Sequence, residues 1–96
     1  MSVSTRRPRY RYVAFRVDGP RPLEREEVLD AFHSLPERLW LVDFVDPLGL
    51  ARCVHTKKEE TIAALTGLTS IGGLAVRVTT LGTSGTIRAA TDKYLS

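Results

Sequence analysis

Three features of this 96-residue chain predict an α+β fold in which two helices cover one face of an antiparallel sheet. Short segments rich in β-formers alternate apolar and polar residues, two intervening segments repeat apolar residues at helical spacing, and Gly, Pro and Asp clusters punctuate them. The elements follow the order βαββαβ with a short helix behind, the order of a ferredoxin-like, RRM-like sandwich.

The first eight residues, ending at Pro8, read as a flexible basic arm, and residues 9–96 as a single ferredoxin-like domain. From Arg9 to Val17 the residues alternate, with Val13, Phe15 and Val17 on one face and Tyr10, Tyr12, Ala14 and Arg16 on the other. Asp18-Gly19-Pro20-Arg21-Pro22 breaks this strand. Pro22 suits a first helical position, Glu24, Glu26 and Glu27 favour the positive end of the helix dipole, and Val28, Phe32 and Leu35 repeat until Pro36 stops them. Leu39 to Val45 reads as a strand that turns at Asp46-Pro47-Leu48-Gly49 into a second strand, Leu50 to His55. Thr56-x-x-Glu59 has the pattern of a capping box for a helix carrying Ile62, Leu65 and Leu68, which ends at Gly67 or at Gly72-Gly73. Leu74, Val76 and Val78 alternate with Ala75, Arg77 and Thr79 as the last strand, and Ile87, Ala90 and Tyr94 fit a terminal helix.

Charge is distributed unevenly about the net of +3. Residues 1–17 carry five arginines and no acid, residues 18–46 carry three arginines against eight acids, and residues 47–96 carry six bases against three acids. Basic ends around an acidic middle suggest one surface for a polyanion and another for a protein partner. Eleven of the fourteen bases are arginine, whose planar fork grips phosphate and stacks on bases. The apolar runs are too short to span a bilayer and the first residues hold no apolar segment of a secretory signal, so no membrane contact and a cytoplasmic location are expected. A lone Cys53 with only His33 and His55 gives no metal-ligand cluster.

Between the last strand and the terminal helix stands Gly82-Thr83-Ser84-Gly85-Thr86-Ile87-Arg88. Its glycines admit close backbone approach, and a helix starting near Ser84 would aim unpaired N–H groups at an anion with Arg88 in the first turn. A hydroxyl-capped turn without a ligand is the plainer reading of the same residues. With the usual strand order the first and third strands are central, and Arg16, Arg52 and Arg77 would line the sheet face away from the two main helices. Base stacking of the RRM kind is disfavoured, because Leu50 to His55 has no aromatic residue.

Read together, Arg11-Tyr12-Val13-Ala14-Phe15-Arg16-Val17, Gly49-Leu50-Ala51-Arg52-Cys53, and Val76-Arg77-Val78 with Ser84-Gly85-Thr86-Ile87-Arg88 resemble the archaeal ribonuclease P protein component 2 family over roughly residues 9–95. The Ser-Gly-Thr-Ile-Arg block is the most specific part. The resemblance implies a non-catalytic subunit of the ribonucleoprotein that removes the 5′ leader of precursor tRNA. The RNA and its magnesium ions perform the hydrolysis there, and the protein itself binds no cofactor. It also implies ribonuclease P RNA, precursor tRNA and protein component 3 as partners, with a homodimer inside a heterotetramer. Arg52, Ser84, Gly85, Thr86 and Arg88 match the motif positions. With Arg9, Arg11, Arg16 and Arg77 from the charge and strand patterns, they form the expected RNA-binding set. Two departures stand out: residues 18–37 allow one helix where the family usually has two, and the terminal helix carries one base and one acid where the family's is commonly basic.

The competing reading is a ferredoxin-like dimeric regulatory or adaptor module binding a small ligand, with Trp40, Phe44 and the acidic helix as its interface and the glycine loop as its site. An acylphosphatase-like hydrolase would need an asparagine to position water, and the chain has none.

Overall fold

A computed structural model describes residues 9–36 and 39–95. The arm expected over residues 1–8 lies outside them. Strand β1 (Tyr10–Asp18) leads through a Pro-containing segment to helix α1 (Arg25–His33), then to the hairpin β2 (Trp40–Val45) and β3 (Leu48–Val54). A single 3-10 turn (His55–Lys57) enters helix α2 (Lys58–Thr66), followed by a two-stranded hairpin, β4 (Ser70–Ile71) and β5 (Leu74–Ala75), and by β6 (Arg77–Ser84). Helix α3 (Ile87–Ala90) runs on as a π-helical segment (Thr91–Leu95). The main sheet has the order β2-β3-β1-β6, antiparallel throughout, with β1 and β3 central. This is the ferredoxin-like α+β arrangement expected from the element order.

Alternation along β1 sets the core. Val13, Phe15 and Val17 face α1 and α2 and pack with Val28 and Phe32 from α1, Leu65 from α2, Phe44 from β2, Ala51 and Cys53 from β3, and Val78 from β6. Ile62 and Val76, also expected in the core, are only partly buried against it. Phe15 is central: its ring centroid lies 5.8 Å from that of Phe32 and 6.3 Å from that of Phe44. Gly49 opposes Phe15 in the ladder, and a Cβ there would meet the Phe15 ring, with Cε2 only 2.7 Å away. The third strand therefore needs glycine beneath that ring.

Two local details depart from the sequence expectation, and a third decides between two helix ends it left open. Pro22 precedes α1 instead of starting it: Glu24 is the N-cap, and the Glu27 carboxylate accepts the Glu24 backbone N–H at 3.0 Å. The Thr56–Glu59 capping box does not form, because residues 55–57 make the 3-10 turn and Lys57 precedes α2 without a side-chain cap. Gly67 ends α2, and Gly72-Gly73 instead form the two-residue turn of the β4–β5 hairpin, with φ of 59° and 81°. Positive φ at both turn residues matches the right-handed twist of a hairpin and is open to glycine without steric cost.

The start of α1 carries a pH-dependent element. The Arg21 guanidinium donates to both Glu27 carboxylate oxygens, at 3.1 and 2.8 Å, and with the Glu24 N–H holds the Glu27 pKa down to about 2 from an ordinary 4.5. A carboxyl whose pKa is depressed on folding stabilises the fold above its unfolded value and loses that contribution as the pH falls through the folded one. Glu27→Gln should therefore lower the urea midpoint at pH 6, with the difference from the parent shrinking between pH 4.5 and about 2. A difference that stayed constant over that range would exclude the ionised carboxylate as its source.

Candidate nucleic-acid interface

Because odd-numbered β1 residues from Val13 face the helices, Tyr12, Ala14 and Arg16 face the other way, as do their partners Arg52, Leu50 and Leu48 on β3. On β6, Gly82 and Ser84 lie opposite Ala14 and Tyr12 on this face. A register shift between Ala14 and Phe15 then sets Thr79 and Arg77 opposite Arg16 and Asp18. The face is free of α1 and α2, as expected, but its centre is not open. Ala90 of α3 is fully buried against Ala14 and Leu50, with Tyr94, Leu95, Tyr12 and Val42 packed around them. Polar readout at the middle of the sheet is thereby excluded, and the arginines are left at the perimeter.

They divide between two ends of the sheet. Arg16 and Arg77 stand at the Asp18 end, where Arg16 Nε donates to Asp18 Oδ1 at 2.9 Å. Arg52 sits four ladder positions from Leu48, the partner of Arg16, about 13 Å along the strands. The expected row of three arginines is therefore split. At the Arg52 end stand Arg9, whose carbonyl accepts the His55 N–H at 2.8 Å, Arg11, Ser84 and the Gly85-Thr86 turn. Arg11 Nη1 lies 3.2 Å from the position a Cβ would take on Gly85, so guanidinium and turn are in contact. Arg88 follows in the first turn of α3 and is exposed.

The structure shortens the expected loop. Gly82, Thr83 and Ser84 belong to β6, and the helix starts at Ile87 rather than near Ser84. Thr86 is the N-cap: its Oγ1 accepts the Ala89 N–H at 3.1 Å and its carbonyl accepts the Ala90 N–H at 3.1 Å. The Thr86 hydroxyl is committed to the cap, while the N–H groups of Ile87 and Arg88 have no partner within the helix.

Two aromatic residues complete this end of the sheet. Arg52 Cζ stands 4.4 Å from the ring centroid of Tyr10 on β1 and 4.5 Å from that of Trp40 on β2. The third strand has no aromatic residue of its own, yet its neighbours supply both rings. Strand alternation placed Tyr10 on this face; the pairing of Trp40 with Arg52 depends on the β2–β3 register, which has its own irregularity between Leu41 and Asp43.

Phe44 is buried in the core and cannot serve as an exposed interface residue, whereas Trp40 is exposed. Cys53 is buried and His55 lies on the following turn. Among the described residues no group of three or more His, Cys, Asp or Glu could hold a metal ion, and no helix is long and apolar enough to cross a membrane.

Comparison with known proteins agrees with these motifs. The family model described as the Rpp14/Pop5 family matches residues 32–95. The chain is 36% identical to Ribonuclease P protein component 2 of Methanosarcina barkeri, over 93% of this chain and 74% of that protein. It is 34% identical to the protein of the same name from Thermococcus kodakarensis, over 96% of this chain and 88% of that one. For Archaeoglobus fulgidus the figures are 33%, 93% and 91%. With two thirds of its length on the family model and relatives above 30% identity along nearly all of it, the chain belongs to the Rpp14/Pop5 family.

Proposed function

We propose that this chain is an RNA-binding protein subunit of ribonuclease P, supporting RNA-catalysed removal of the 5′ leader from precursor tRNA. The observation that carries the reading is the contact of Arg11 with the Gly85 turn, beside Arg88 and at the same end of the sheet as Arg9 and Arg52. A turn that leads into a helix start, beside several arginines, suits phosphate oxygens. Arg16 and Arg77, at the other end, offer a second and weaker contact, since Asp18 already pairs with Arg16.

The partners follow from charge and family. The basic end takes ribonuclease P RNA and, in the assembled particle, precursor tRNA. The acidic α1 surface is ill suited to phosphate and is assigned to protein component 3, within a heterotetramer holding two copies of this chain. Magnesium ions belong to the RNA in this reading, none to the protein, and the working compartment is the cytoplasm.

Arg88→Ala tests the proposal. It should weaken binding of ribonuclease P RNA and reduce the slope of log K against log salt by about one, the effect of losing one phosphate contact. Cleavage of precursor tRNA by the particle reconstituted with RNA and component 3 should fall in parallel, with the circular dichroism spectrum unchanged. Unchanged affinity, slope and cleavage for both Arg88→Ala and Gly85→Val would reduce the turn to a helix cap.

A further inference from the structure

The described arginines differ in what stands against them. Arg16, Arg21 and Arg25 each stand against a carboxylate, those of Asp18, Glu27 and Asp43. Arg52 has no carboxylate paired with it among the described residues and is positioned by the rings of Tyr10 and Trp40. A guanidinium held over aromatic faces keeps its charge and its in-plane N–H donors for something outside the protein. Trp40 stands on the edge strand β2 with 52% of its surface exposed, far more than cation–π packing with Arg52 requires. Tyr10 is 37% exposed beside it. The three residues border a concavity of about 490 Å³, within the range of small-ligand sites, with Lys57 at its rim, 3.5 Å from Glu60.

An exposed tryptophan beside a guanidinium without a carboxylate is chemically specific. An apolar protein surface would cover the indole but leave the Arg52 charge desolvated and unpaired, which is costly. An unpaired nucleobase satisfies both, because its π-face stacks on the indole while its own phosphate reaches the guanidinium. We infer that Trp40, Arg52 and Tyr10 form a stacking platform for an unpaired nucleobase of single-stranded RNA, an inference that rests on the RNA-subunit reading above. The platform lies at the sheet edge because α3 occupies the centre. Arg11, at the same end of β1 but at a position alternate to Tyr10, stands against the Gly85 turn.

Trp40 is the only tryptophan of the chain, so its fluorescence reports on this site alone. The full chain is titrated with a single-stranded oligoribonucleotide and with an abasic oligonucleotide of the same length and charge. Saturable quenching by the first and none by the second is expected, although both bind with salt-dependent affinity. Trp40→Ala should weaken the single-stranded RNA about 5- to 150-fold, leave the abasic strand and the salt slope unchanged, and be partly rescued by Trp40→Tyr. RNA binding with its usual salt slope but without quenching, and with equal affinity for Trp40→Ala, overturns the platform and leaves the RNA-subunit reading standing. A Trp40 response to component 3 but not to RNA does the same, and failure of every oligonucleotide to bind at low salt overturns both.

Discussion

Replacing Phe15 by alanine is expected to cost about 3–5 kcal/mol of folding stability. Phe15 is 1% exposed and packs on Phe32 and Phe44, so its removal leaves a cavity between the sheet and α1 that β1, hydrogen-bonded on both edges, cannot close by moving. Gly49 enlarges the void, since it has no side chain to swing into the space vacated by the ring. For a chain of this size each kcal/mol corresponds to roughly 4–8 °C in melting temperature, so the variant should melt well over 10 °C lower. Val45→Ala is the control: that side chain is 72% exposed and its loss should stay within about 0.5 kcal/mol. Urea midpoints of the two variants that coincided would remove Phe15 from the centre of the core.

The features legible in the sequence were those with a strong period. Val13, Phe15 and Val17 could only face one way, and Val28 with Phe32 fixed the side of α1 that meets them. The order of strands in the sheet is the usual one for the βαββαβ element order, with β1 and β3 central. Glycine is less legible, because it serves several unrelated purposes: Gly67 does end α2, but other glycines differ. Gly72-Gly73 resembled a helix terminator and is a hairpin turn; Gly82 resembled a loop residue and is strand. The candidate site was legible as a set of residue types at one end of the chain, Ser84 to Arg88, and as a basic first strand. Its division between two ends of the sheet, and the rings around Arg52, depend on register and on a bulge between Ala14 and Phe15 that no periodicity displays.

Gly82→Val is the second large effect, and it links the fold to the site. Gly82 does not occupy left-handed backbone, so a strand-favouring residue should suit β6 on local grounds. The obstacle is Tyr94: a Cβ on Gly82 would collide with its hydroxyl and ring, with Cε1 at 2.8 Å. Gly82 and Ala14 form a seam of small residues on the sheet, and Ala90 and Tyr94 of the terminal helical segment lie over it. Forcing a side chain into it should cost about 1–3 kcal/mol, as overpacking does, and lift residues 87–95 from the sheet. Amide hydrogen exchange should accelerate in that segment while β1 and β3 stay protected, and Leu50 should become accessible. Arg88 would leave the Gly85 turn with its helix, so RNA affinity should fall although no arginine has been changed. Adding Tyr94→Ala removes the collision, so the double variant should be more stable than Gly82→Val alone, a coupling of the kind contacting residues show. Strictly additive effects would mean that the ring of Tyr94 does not lie on Gly82, and that the terminal helix does not close the centre of the sheet.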